Sequence, residues 1–304
     1  MKRLGEIALG ILTGIGGFLE AGSLATSAQA GAEFGFRLGW AILLGAVCLA
    51  LLAEMAGRLA AVSSHTLPDA MRDRFGATFY VVLLGVVGLV SFLVLASELG
   101  GVCIALELAT GLGHRWWALV VGFVVWLVLW KSRFGVVEKA PGVLGLVTLA
   151  FVVAAFRLHA PAGEVARGLV PSLPDHEPAR YWFLAVSIFG ASVSPYLFYF
   201  YSSGAVEGRW DRSYLRINRI TAWLGMGFGG VVSVAALSVA ALVFAPRGIR
   251  LDQYPQAALL LAEPLGRAGF WLFAAALGIA CFGAALELAL ELAYFAAQGL
   301  GWNA

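Results

Sequence analysis

Apolar residues gather along this chain in eight long blocks, near 7–30, 38–60, 78–109, 116–131, 142–158, 181–203, 219–245 and 268–299. A run of about 20 apolar residues is the length a helix needs to cross the hydrocarbon core of a bilayer. The pattern therefore predicts eight membrane-spanning helices joined by short polar loops. The third and eighth blocks are longer than a perpendicular crossing needs, which predicts tilt.

Composition agrees with this reading. The chain has 304 residues, 61% of them hydrophobic and 12% charged, with a mean hydropathy of +0.88. A soluble domain carries roughly 25% charged residues to hold its surface in water, so lipid must be much of this chain's solvent. The net charge of +2 gives no electrostatic case for a nucleic-acid partner. Cys48, Cys103 and Cys281 are odd in number, far apart and inside apolar runs, so they read as small core residues. The four histidines show no zinc spacing, and no nucleophile–base set argues for a membrane enzyme.

The polar loops suggest an orientation. With the N-terminus inside, the cytoplasmic loops carry 12 of the 20 Lys and Arg residues and the other side carries 8. That bias favours a cytoplasmic N-terminus in a bacterial-type inner membrane. Met1-Lys2-Arg3, the apolar run after it and Ser27-Ala28-Gln29-Ala30 imitate a cleavable signal. Glu20 inside that run argues instead for a retained first span.

The first and sixth spans differ from the rest. The first holds Gly14, Gly16, Gly17 and Gly22 around a charged Glu20, and the sixth holds Gly190-Ala191-Ser192-Val193-Ser194-Pro195. Pro195 lacks a backbone donor and clashes with the preceding turn, which predicts a break there. Interrupted helices in corresponding positions of two halves point to a transporter's substrate site. Close helix packing by the glycines is the alternative reading of the same residues.

Six carboxylates fall within spans: Glu20, Glu54, Glu98, Glu107, Glu287 and Glu291, with no Lys or Arg deep in any span to neutralise them. Each is expensive in hydrocarbon and marks a pathway or a paired group. Unwinding at Glu20 and at Pro195 would free backbone carbonyls, that of Ala191 among them. Glu20, the hydroxyls of Ser23 and Ser194 and those carbonyls form an all-oxygen set suited to hard divalent cations. Glu98, mid-membrane, is a candidate for proton relay or the permeation route. Glu287 and Glu291, four apart on one helix face, are candidates for a second acidic wall. Glu54 and Glu107 sit nearer span ends and read as structural. The aromatic run from Tyr196 to Tyr201 reads as packing and interface belt, or as a cation–π box for an organic cation.

At these residues the sequence resembles the Nramp family of divalent metal transporters. Gly17-Phe18-Leu19-Glu20-Ala21-Gly22-Ser23-Leu24-Ala25-Thr26 looks like that family's first-helix segment around D-P-G-N. The stretches 56–76, 97–111, 167–174 and 190–200 are similar to its corresponding stretches, in the family's order and spacing. The resemblance implies a LeuT-type inverted repeat with broken helices 1 and 6. Residues 1–160 would form the first repeat, helices 1–5, and 161–304 an incomplete second repeat, helices 6–8. The family's ninth and tenth helices would be missing, as in a truncated chain. It implies metal as substrate, with no cofactor, at Glu20, Ser23, Ala191 and Ser194. Glu98 matches a third-helix Glu implicated in proton movement, and Tyr196 replaces a His. Ser194 stands where the family has a Met, which moves the expectation toward magnesium as well as manganese. Other readings are a LeuT-fold carrier of an organic cation or amine and a non-transporting membrane scaffold with a degenerate metal site. Lipid and a small cation are the expected partners.

Overall fold

A computed structural model describes residues 20–132, 137, 145–251 and 254–302, and the described residues are helical with short connections. Part of the first expected span (7–19) and the start of the fifth (142–144) lie outside them. The remaining parts of the expected spans are helical, apart from an interruption at 193–194 and a 3-10 turn within the fifth.

Helix α1 (Ala21–Phe34) is followed by α2 (Gly39–Ser63), the short α3 (Leu67–Phe75), α4 (Ala77–Thr110) and α5 (His114–Lys131). Helix α3 starts on a capping box in which Thr66 and Asp69 each satisfy the other's backbone N–H. The fifth span departs from a plain helix. A 3-10 turn, Gly145–Thr148, leads into the nine-residue α6 (Leu149–Arg157), and the Thr148 hydroxyl donates to the Gly145 carbonyl at 2.6 Å. The chain then bends by 119° into α7 (Ala162–Gly168).

Helix α8 (Pro178–Ser192) and α9 (Pro195–Glu207) together form one 30-residue span interrupted at Val193 and Ser194. Helix α10 (Leu215–Val243), the short α11 (Tyr254–Ala257) and α12 (Leu259–Leu265), and α13 (Arg267–Gly299) complete the chain. Helices α4 and α13 have 34 and 33 residues. Each is about 50 Å long, well beyond the roughly 30 Å hydrocarbon core.

Two seams hold the molecule together: α13 against α4, and α10 against both α1 and α2. Small residues let backbones touch at the second. A Cβ at Gly31 would come within 2.1 Å of the Leu237 carbonyl oxygen, so α1 and α10 can meet there only through glycine. At one end, Arg180 grips the Glu33 carboxylate through two nitrogens at 2.6 and 2.8 Å, tying the end of α1 to the start of α8. Next to it the Arg37 guanidinium holds the exposed Asp175 carboxyl below its usual range.

The outer surface matches lipid. Helix α4 exposes Val82, Val86, Leu89, Phe92 and Leu93, each 59% accessible or more. Patches of this size on a water-facing surface drive association; in a bilayer they are the expected contact. Among the described residues five helix runs are long and apolar enough to cross a membrane, beside the bent pair.

Candidate functional site

The site begins where α1 begins. Glu20 is extended (φ −115°, ψ 169°) and serves as the N-cap of α1. Its carboxyl and the Ser23 hydroxyl form a reciprocal capping box, the Glu20 N–H donating to the Ser23 oxygen at 3.2 Å. The Ser23 hydroxyl in turn donates to the Glu20 carbonyl at 3.0 Å. A second carboxylate arrives from the middle of α4: the Ala21 N–H donates to both Glu98 oxygens, at 3.1 and 3.2 Å. Two carboxyl groups therefore meet the N-terminal end of one helix, where unpaired N–H groups and the helix dipole favour negative charge.

The interruption between α8 and α9 lies beside this point. The buried Tyr196 hydroxyl donates to the Glu20 carboxylate at 3.2 Å. A Cβ on Gly22 would rest 3.6 Å from the Ala191 Cβ and 3.7 Å from a Glu20 oxygen, so the last turn of α8 flanks the start of α1. Proline explains the break: Pro195 opens α9 without an N–H, and the Ala191 carbonyl loses the donor that a continuing helix would supply. Ser194 is the buried N-cap residue of α9.

The remaining expected residues divide into two sets. Glu287 is buried on α13 within electrostatic reach of Glu20 and Tyr196. Glu291, one turn further, is buried beside Ser91 of α4. Glu54 and Glu107 lie apart from this group. Glu54 accepts from Arg58 at 2.5 Å, Arg219 at 3.1 Å and the Trp223 indole at 3.0 Å. Glu107 at the end of α4 meets the His114 ring at 2.7 Å and its backbone N–H at 2.9 Å. The arginines that neutralise Glu54 stand near span ends and reach inward, which a count of charges deep within spans does not register.

Cys281 is a site neighbour that sequence reasoning missed. Its thiol hydrogen-bonds Glu98, and a Cβ on Gly101 would lie 2.4 Å from its sulfur. Nothing in the spacing of a lone cysteine in an apolar run distinguishes this place from ordinary core.

These groups can receive a cation. Glu20 supplies the charge, Ala191 a carbonyl, and the serine hydroxyls further oxygens, each with two lone pairs. Among the described residues no cluster of three or more His, Cys, Asp or Glu side chains forms a metal cage. The neutral oxygens beside Glu20 are hard ligands.

The manganese transporter of Eremococcus coleocola, in a mutant form, superposes with a TM-score of 0.83 at 20% identity, covering 99% of this chain and 67% of that one. Another structure of it, in complex with an aromatic bis-isothiourea substituted compound, gives a TM-score of 0.79 at 21% identity, covering 98% and 65%. These likenesses show the fold, that of the LeuT-type transporters. The divalent metal cation transporter MntH of Deinococcus radiodurans is 29% identical over 274 residues, 86% of this chain and 61% of the relative. MntH of Klebsiella pneumoniae is 28% identical over 262 residues, 82% and 61%. The chain thus spans about three fifths of the length of these curated relatives. The model of natural resistance-associated macrophage protein-like sequences matches residues 10–304, and the chain belongs to the Nramp family.

Proposed function

We propose that the chain binds a divalent cation of the magnesium or manganese class at Glu20, as the substrate-holding part of a secondary transporter working by alternating access. The observation that carries this is the meeting of two helix starts and one helix end at a single carboxylate. Glu20 caps α1, hydrogen-bonds Tyr196 at the start of α9, and lies beside Ala191 in the last turn of α8. A half-helix C-terminus and a carbonyl without its helical donor favour a cation. Glu20 supplies formal charge there.

In this reading Glu20, Ser23, Ala191 and Ser194 are the cation ligands, and Glu98, Tyr196, Glu287 and Glu291 line the proton or permeation route. Residues 1–160 form the first repeat and 161–304 part of the second, with the N-terminus cytoplasmic. The curated relatives named above are divalent metal cation transporters, which supports the substrate class. Replacement of a thioether by the Ser194 hydroxyl supports a site that accepts magnesium beside manganese.

The test is calorimetric titration of the purified chain in lipid nanodiscs with manganese, magnesium and an organic amine. Divalent binding that disappears in Glu20→Gln is expected. Binding of the amine alone, or equal divalent binding by wild type and Glu20→Gln, overturns the proposal.

A further inference from the structure

A groove of about 650 Å³ opens on the surface between α2 and α10. Its walls are two apolar stripes, with Leu43 and Val47 of α2 on one side and Gly227, Val231 and Val234 of α10 on the other. Each stripe recurs every three or four residues, so it stays on one helix face. The helices run antiparallel: Ala46 meets Gly230 at one level, and Glu54 meets Arg219 and Trp223 at another. Leu169, just past α7, closes the end near Leu43. Gly227 leaves the wall open, because a Cβ there would meet nothing within 4 Å.

The opposite end is charged. Trp223 lines it, and its indole N–H donates to Glu54 at 3.0 Å. Two guanidiniums share that one carboxylate, Arg58 at 2.5 Å and Arg219 at 3.1 Å, so the trio keeps one positive charge. The Arg58 and Arg219 side chains are 52% and 68% exposed, and the exposed Arg216 stands one turn before Arg219.

The dimensions fit a lipid. From Trp223 to Val234 is about 16 Å of helix, close to one leaflet's half of the roughly 30 Å hydrocarbon core. An apolar wall one leaflet deep, an indole at its rim and surplus guanidinium charge beyond follow the order of an acyl chain, the interface and an anionic headgroup. Basic pockets between membrane helices bind such headgroups, and a guanidinium fork matches phosphate oxygens. A second apolar helix would cover the same wall but would leave the surplus charge unanswered.

We propose that the α2–α10 groove binds one anionic phospholipid, its acyl chain lying along Gly227 and Val47 and its phosphate held by Arg58 and Arg219. The site shares no residue with the proposed cation ligands and stands without them.

Native mass spectrometry of the full chain tests this, after release from nanodiscs of equal parts phosphatidylglycerol and phosphatidylcholine with matched chains. The expected wild-type result is one retained phosphatidylglycerol per chain, favoured about tenfold or more over phosphatidylcholine, a difference of about 1.4 kcal/mol. Arg219→Gln leaves Glu54 paired with Arg58 but removes the surplus charge, and should lower that preference about fivefold. Glu54→Gln adds a positive charge and should raise it. Gly227→Leu fills the groove from a position whose Cβ meets open space, so it tests the site without a packing clash. It should abolish retention of both lipids. Equal retention of the two lipids by wild type, a preference that ignores Arg219→Gln, or retention that survives Gly227→Leu overturns the proposal. So does displacement of the lipid by an equal concentration of inorganic phosphate, or a lipid-free dimer closed over the groove.

Discussion

The Tyr196 hydroxyl donates to the Glu20 carboxylate at 3.2 Å, joining residues 176 positions apart at the starts of α1 and α9. Tyr196 is the second residue of α9, just past the proline that opens it, so Pro195 fixes where the ring goes as well as where the helix breaks. The bond orients one Glu20 oxygen and leaves the other on the Gly22–Ala191 side. Tyr196→Phe removes the donor while keeping the ring. We expect divalent affinity to fall about three- to tenfold, the scale of one hydrogen bond of roughly 1 kcal/mol. Titration calorimetry reads it directly, and unchanged or tighter binding would show that the phenol does not position the carboxylate.

Glu20→Gln and Glu54→Gln form a contrasting pair. Both remove one buried carboxylate, yet Glu54 already satisfies Arg58, Arg219 and Trp223 and touches no break. Glu20→Gln should lower divalent affinity at least a hundredfold, about 2.7 kcal/mol. Glu54→Gln should leave affinity intact and lower thermal stability by about 1 kcal/mol, since its arginine partners are more than half exposed. Loss of binding in Glu54→Gln with stability unchanged would reverse the assignment.

Glu98 accepts from the Ala21 N–H with both oxygens, so it holds the start of α1 whatever else it does. Glu98→Ala leaves a buried donor unpaired, which costs about 1–3 kcal/mol. Glu98→Gln keeps an acceptor and should cost less than half as much. Hydrogen exchange at the Ala21 amide should therefore rise steeply in Glu98→Ala and little in Glu98→Gln. Equal protection in both variants would mean that Glu98 does not cap α1.

The contact of α1 with α10 predicts a strict size limit. Gly31→Ala places a methyl where the Leu237 carbonyl oxygen stands, 2.1 Å from the new carbon. The helices must separate, and overpacking of this kind costs about 1–3 kcal/mol. Gly85, with nothing within 4 Å of a Cβ, should tolerate alanine and serves as the control. Thermal unfolding in detergent that ranks the two variants equally would contradict the packing described.

Much of this architecture was legible in the pattern of apolar blocks, because a bilayer forces helices to satisfy their own backbones. The edges of 78–109 and 268–299 fall within a residue of α4 and α13. The break at Pro195 was legible for the same reason: a missing N–H is written in the sequence. Pairings across helices were not. That Glu98 caps α1 depends on how α4 packs against α1, and no local spacing encodes it. Cys281 beside Glu98 and the reach of Arg219 to Glu54 belong to the same class, set by side-chain direction and tertiary approach.

Ser194 bears on selectivity. It is the buried N-cap residue of α9, its side chain making no capping hydrogen bond, at the position where the resemblance places a methionine. A thioether is a soft ligand that favours later transition metals, whereas a hydroxyl is hard and gives them less advantage. The wild-type chain should therefore bind manganese with magnesium competing at concentrations within about a hundredfold, although the Irving–Williams trend still places manganese first. Magnesium tends to keep several of its waters, so a water between the ion and Ser194 would soften the effect of substitution without changing its sign. Ser194→Met should strengthen manganese and cadmium binding, weaken magnesium, and move the manganese-to-magnesium ratio about tenfold or more, about 1.4 kcal/mol. Ser194→Ala removes the hydroxyl without adding sulfur and should weaken all three ions, which separates loss of a ligand from gain of a soft one. Competition titrations of the three variants decide the matter. Tight cadmium binding by wild type that ignores millimolar magnesium, with no response to Ser194→Met, would show that this serine does not face the ion.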